Sequence, residues 1–142
     1  MFKHNVKYYC TRFQNLKHTC LSHKSGIALQ GYSKIAFGLD MEVLQKRDFK
    51  AHLEFCFNTY ERHKIQKSPQ PLEEFYRIWT IKESLVKFCH QDLSYMDKVG
   101  LDEKGTFYEK MSKKIYTQNH TFKYPYQDSE IIISVVFKHQ DV

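Results

Sequence analysis

In the segment K-I-A-F-G-L-D-M-E-V, residues 34–43, Ile35, Phe37, Leu39, Met41 and Val43 alternate with other residues. The intervening Ala36, Gly38, Asp40 and Glu42 therefore share the other face of a strand. Two strand residues span about 7 Å, so side chains two apart can converge on one hard cation, and Mg²⁺ takes one or two carboxylates with water and phosphate oxygens. A solvated strand end would carry the same acids. Against it stands Gly38, which removes bulk just before them and lets a backbone or a ligand approach.

A second group lies in W-T-I-K-E-S-L-V-K, residues 79–87. Glu83 and Lys87 are four apart with the acid first, the order of an ordinary helix salt bridge worth a few tenths of a kcal/mol. Trp79, one turn earlier, belongs against the core, which puts Glu83 at the edge of the buried stripe. From there a carboxylate could complete a three-acid metal site with the strand pair, with Lys87 one turn on to hold phosphate. A third stretch, H-T-C-L-S-H-K-S-G at 18–26, offers His18, Cys20 and His23, with Cys10 upstream, as zinc ligands. Their spacing matches no common zinc site, and an imidazole beside Lys24 ahead of a strand suits phosphate better.

The elements that must position these groups follow from patterning. Strands are expected over 27–33 and 34–43, with a bend at Gly31. A helix is expected through R-D-F-K-A-H-L-E-F-C-F-N-T-Y-E-R-H-K, ended by S-P-Q-P, and a longer one from about Leu72 through His90. In the longer helix Phe75, Ile78, Trp79, Leu85, Val86 and Cys89 form one buried stripe, interrupted by Lys82. A polar loop containing Gly100 and Gly105 follows, then a strand near 115–123 and a buried final strand over 130–139. The fold class is α+β: a small, largely antiparallel sheet packed against one long helix.

Length and composition bound the rest. The 142 residues are 42% hydrophobic, enough for one core, so 1–142 reads as a single domain. No apolar run reaches the roughly 18 residues that span a bilayer, and M-F-K-H-N-V-K-Y-Y-C-T-R-F lacks the apolar centre of a secretory signal. A soluble, cytoplasmic protein with reduced thiols is the expectation. The net charge of +6 favours a polyanionic partner. A nucleic-acid-binding domain would rest on charge and aromatic content alone, and the aromatics fall mostly in the apolar pattern.

Taken together, S-H at 22–23, G-L-D-M-E at 38–42 and W-T-I-K-E-S-L-V-K at 79–87 resemble the 4′-phosphopantetheinyl transferase superfamily. The resemblance is closest to the C-terminal half of the surfactin-type enzymes, and it is clearest over about residues 17–95. It implies a phosphopantetheinyl transferase-like half-domain in which Asp40, Glu42 and Glu83 bind Mg²⁺ and Lys87 contacts the phosphates of coenzyme A. It also implies that His23 binds the 3′-phosphate of coenzyme A, that Lys82 belongs to the cofactor-binding helix signature, and that Glu61 is a further acid close to the site. The implied reaction moves the phosphopantetheine arm of coenzyme A onto a serine of an acyl or peptidyl carrier protein, with Glu83 or Glu61 taking the serine proton.

Two departures accompany the resemblance. Where family members follow the helix with a G-x-G-L turn, this chain has His90-Gln91-Asp92-Leu93. The surfactin-type enzymes place the cofactor between two similar halves, and this chain has one. Self-association into a homodimer or homotrimer is the expected remedy. The alternative is a catalytically silent half-domain that binds a carrier protein or another partner.

Overall fold

The computed structural model describes residues 16–116 and 118–137. The chain opens with a hairpin of β1 (His18–Lys24) and β2 (Ile27–Ser33), joined at Ser25 and Gly26. Both turn residues have positive φ, 51° and 78°, as the tight two-residue hairpin turn requires, and Ser-Gly supplies them. β3 (Phe37–Val43) then pairs antiparallel with β8 (Ser129–Phe137), which pairs with β7 (Gln118–Tyr126). The sheet order is β3-β8-β7.

Between β3 and β7 lie α1 (Lys50–Cys56), α2 (Thr59–Lys67), α3 (Pro71–Phe88), a 3₁₀ turn (Leu93–Lys98) and a second small sheet. That sheet contains β4 (Val99–Leu101), β5 (Phe107–Glu109) and β6 (Lys114–Tyr116) in sequence order. The expected α+β class, with a long helix on a small antiparallel sheet, is what forms. α3 lies on one face of β3 and β8, burying Phe75, Ile78, Ile81 and Leu85 with Ile132 and Val136 in the main core. The other face carries a smaller core of Met41, Val43 and Ile131, packed against Ile27 and Leu29 of β2.

Several boundaries differ from the sequence reading: the strand expected over 34–43 starts at Phe37, and the one expected near 115–123 is two strands, β6 and β7, in different sheets. The stretch 18–24 is a strand, not a lead-in. The single helix expected through residues 47–64 breaks at Phe57 and Asn58, because Asn58 caps α2 in a reciprocal box: its Oδ1 accepts from the Glu61 N–H at 2.8 Å while Glu61 Oε2 accepts from the Asn58 N–H at 2.9 Å. The loop expected around Gly100 and Gly105 holds the short strands β4 and β5.

Candidate active site

The local reason for the site is Gly38. A Cβ at that position would stand 1.8 Å from the Ser84 carbonyl oxygen, so only glycine lets the α3 backbone settle directly on β3. Ser84 Oγ and Thr80 Oγ1 then fasten the helix to β8, the first donating to the Ser134 carbonyl at 3.0 Å and the second lying 2.6 Å from Ser134 Oγ. With the helix seated this closely, Glu83 meets the helix-facing acids of β3. One carboxylate oxygen from each of Asp40, Glu42 and Glu83 lies within 4.8 Å of the other two.

β1 closes the cluster from the free edge of β3. Ser22 Oγ donates to Asp40 Oδ1 at 3.0 Å and accepts from the Met41 N–H at 3.0 Å, taking the place of a ladder bond. Lys87 Nζ donates to Asp40 Oδ1 at 2.9 Å, to the Leu39 carbonyl at 3.1 Å and to the Leu21 carbonyl at 3.4 Å. The Glu83–Lys87 helix pair is therefore not the arrangement that forms: Lys87 reaches across to the strands. Lys24 Nζ stands 3.6 Å from Glu42 Oε2.

Crowding three acids in a largely buried seam has an electrostatic cost. Burial, then the charge of Asp40 and a carboxyl–carboxylate hydrogen bond with it, and then the charge of Glu42 push the Glu83 carboxyl from 4.5 up to about 8, with Lys87 acting in the opposite direction. Burial also raises the Glu42 carboxyl, an effect that Lys24 and Arg47 oppose and Asp40 reinforces. Asp40 Oδ2 is buried with no hydrogen-bond partner. Its neighbours Glu42 and Glu83 are acceptors when ionised, so a proton shared with Glu83 or held by Glu42, or a bound cation, can satisfy it. The residues thus fit a hard divalent ion: an oxygen-only set of three acids, gathered on two rigid elements, with an orphan lone pair.

The other expected site residues lie elsewhere. Glu61 and Lys82 are both fully buried and paired with each other at 2.9 Å. Glu61 Oε1 also accepts from the Leu101 N–H at 2.6 Å, and Lys82 donates to the Cys56 carbonyl with its ammonium over the Phe57 ring at 4.8 Å. This closed network ties α2, α3 and β4 together and contains none of the three clustered acids. Trp79 packs as expected, stacked on Phe57 and Phe75 with centroids 5.9 Å away in each case. His23 is exposed on β1, alternating away from Ser22 and Lys24, which face β3.

Among the described residues, Asp40, Glu42 and Glu83 form the one cluster of three or more potential metal ligands. His18, Cys20 and His23 do not converge, and Cys10 lies outside the described residues. After α3, His90 takes the left-handed conformation at φ 56° that a glycine would adopt easily. Asp92 caps the 3₁₀ turn by accepting from the Ser94 N–H at 2.9 Å. Sequence reasoning gave Lys24 a phosphate role beside His23 but did not place it next to Glu42, and it did not single out Arg47. Lys24 had a usable signal, because it stands two residues from Ser22 and shares its strand face once 18–24 is recognised as a strand.

Three acids and a lysine thus gather at the seam between a helix and an antiparallel sheet. A family model described as the 4′-phosphopantetheinyl transferase superfamily matches residues 36–135, more than two thirds of the chain. The chain belongs to this superfamily, whose donor is coenzyme A and whose acceptors are carrier proteins. No curated protein matches it. No helix among the described residues is long and apolar enough to cross a membrane.

Proposed function

We propose that this chain is a Mg²⁺-dependent 4′-phosphopantetheinyl transferase of the holo-acyl-carrier-protein synthase type, modifying a serine of an acyl or peptidyl carrier protein. The observation that carries the reading is the convergence of Asp40, Glu42 and Glu83 around an unpartnered Asp40 oxygen. These three residues would hold Mg²⁺, which when bound neutralises the pyrophosphate and polarises the phosphorus under attack. The serine oxygen attacks the phosphorus that bears pantetheine. Its bond to the bridging oxygen breaks, and adenosine 3′,5′-bisphosphate leaves with the electron pair.

Glu83 is the better proton acceptor for that serine. It is only partly buried and stands at the acid cluster, whereas Glu61 is fully enclosed and already accepts from Lys82 and two backbone N–H groups. Lys87 holds Asp40 in place and sets a positive charge beside the transferring phosphate. Lys82 and Glu61 brace α3 behind Glu83, and His23, exposed on β1 next to Ser22, would meet the 3′-phosphate of coenzyme A. His120, Phe122, Tyr124 and Tyr126 form an exposed row on β7, and that face supports self-association into a homodimer or homotrimer.

The test is incubation with coenzyme A, Mg²⁺ and a panel of apo carrier proteins, followed by weighing of the carriers. A gain of one phosphopantetheine that disappears in excess EDTA is expected. Carriers that bind without gaining mass would replace the reading with a silent partner-binding half-domain. Sedimentation with and without coenzyme A reads the oligomeric state.

A further inference from the structure

The two faces of β7 run against the usual pattern, with polar side chains toward the helix layer and aromatic ones outward. On the α3 side Thr121 Oγ1 lies 3.1 Å from Ser134 Oγ, and Lys123 Nζ stands 3.2 Å from Glu73 and 3.7 Å from Glu130. His120, Phe122, Tyr124 and Tyr126 point the other way. They stand opposite Val135, Ile133, Ile131 and Ser129 of β8, so the row carries the smaller core of Met41, Val43 and Ile131 out to the edge of the sheet. There it meets water: Phe122 is 55% exposed and Tyr124 58%. Large rings in line on one strand form a continuous patch, which scattered surface residues do not.

β7 is also a free edge, since among the described residues it pairs with β8 alone. The tight turn at Gln127 and Asp128 makes Tyr126 and Ser129 a hydrogen-bonded pair, so the even residues of β7 bond to β8 and the odd ones turn their N–H and C=O groups outward. Thr121 and Lys123 therefore offer donors and acceptors to a further strand. An exposed lysine is what usually keeps such edges apart, and here Lys123 is held by Glu73 and Glu130 of its own chain. A second β7, antiparallel about a two-fold axis through Phe122, matches every one of these features. Phe122 is the midpoint of Gln118–Tyr126, so all 9 residues overlap. Phe122 then faces its own counterpart, Tyr124 faces His120, and Lys123 faces Thr121 instead of another lysine. The missing N–H of Pro125 falls near the end of the ladder, where it costs least.

We propose that two copies of this chain pair through β7, antiparallel about Phe122, joining their three-stranded sheets into one continuous sheet. The proposal deepens the self-association reading and rests on it. It selects a dimer over a closed trimer, because a two-fold edge contact uses up its edge in the first pairing. β7 lies two strands from β3 and the aromatic row faces away from α3, so pairing leaves Asp40, Glu42 and Glu83 of each copy open. A contact of one strand edge and one row of rings is narrow, and it suits a dissociation constant of about 1–100 µM.

The experiment is sedimentation equilibrium, up to about 500 µM, on the wild type, Phe122→Glu and Thr121→Pro, with circular dichroism to confirm folding. The proline removes an outward N–H and no ladder bond to β8. The wild type should be a monomer–dimer mixture, and each variant should weaken the dimer at least about tenfold. Phe122→Cys and Tyr126→Cys, oxidised beside the wild type to show the background from its own thiols, read the register. Phe122→Cys should give a disulfide-linked dimer, because facing residues of a non-hydrogen-bonded pair stand about 4.5 Å apart. Tyr126→Cys should not, because the axis sets its two copies about 27 Å apart along the strands. Cross-linking at Tyr126→Cys instead overturns the register. An oligomer that Phe122→Glu and Thr121→Pro both leave intact overturns the proposal and keeps self-association. A strictly monomeric wild type overturns both and leaves the row to a partner of another sequence. Carrier modification is weighed separately on the same samples, so the transferase reading stands or falls on its own.

Discussion

Replacing Glu83 with Gln should make the protein more stable and inactive, and the size of the gain should depend on pH. In the folded chain the Glu83 carboxyl is raised from 4.5 to about 8 by burial and by the charges of Asp40 and Glu42. At about 1.4 kcal/mol per pH unit, its ionisation in the fold costs at most about 5 kcal/mol. The folded state binds the proton more tightly than the unfolded chain. That contribution to stability is fully present below pH 4.5 and is lost as pH rises through about 8. Glutamine does not titrate, and its amide can donate to the orphan Asp40 Oδ2. Urea unfolding followed by Trp79, the single tryptophan, should give similar stabilities for both proteins near pH 5. At pH 8.5, without divalent ions, Glu83→Gln should lead by about 2 to 4 kcal/mol, below the ceiling because the carboxyl is partly solvated. Mg²⁺ at a hundredfold excess over its dissociation constant should add about 2.7 kcal/mol to the wild type and far less to the variant. Stabilities that run parallel with pH, or equal stabilisation of both proteins by Mg²⁺, would refute the three-acid account.

Asp40→Ala should remove the thermal shift caused by Mg²⁺ and lower transfer at least about a hundredfold, with circular dichroism unchanged; full activity would dismiss Asp40 as a ligand. Gly38→Ala should cost about 3 kcal/mol or more in urea unfolding, because its methyl group meets the Ser84 carbonyl, and a cost under about 0.5 kcal/mol would show that α3 yields easily. Lys82→Met should cost about 3 to 5 kcal/mol by leaving Glu61 buried without its counter-ion, whereas an exposed lysine would cost under about 1 kcal/mol on the same measurement.

The strands and the long helix were legible because their signals are local. Alternation over 35–43 and the three- and four-residue steps of α3 each report which face is apolar, and the burial of Leu39, Met41, Val43, Ile78 and Leu85 follows directly. What failed were signals overridden within a few residues. The periodicity across 49–60 is helical throughout, yet the N-T-Y-E box at 58–61 starts a new helix, because a reciprocal pair of capping bonds at that point outweighs continuation. Residues 18–24 show too little alternation of hydrophobicity to announce a strand, since β1 has exposed residues along one face and Cys20, Ser22 and Lys24 along the other. Only the Ser25-Gly26 turn betrays the hairpin.

The site divides along the same line. Spacing placed Asp40 and Glu42 on one face and Glu83 at the margin of a buried stripe, and those statements need nothing beyond strand and helix geometry. Which lysine serves which acid is a different kind of fact, because it depends on where a flexible side chain ends. Lys82 and Lys87 stand five apart on one helix, and the sequence separates them only by Lys82 falling on the buried stripe. Lys82 is turned into the core, where Glu61, held by two backbone N–H groups, compensates it. Lys87 emerges at the end of the helix, where two strand carbonyls and Asp40 take its donors. An enclosed lysine needs one fixed counter-ion, and a lysine at a seam collects whatever acceptors the packing leaves exposed. That is why Lys24, read from the sequence only as a companion of His23, ends beside Glu42, where the packing of β1 against β3 carries it.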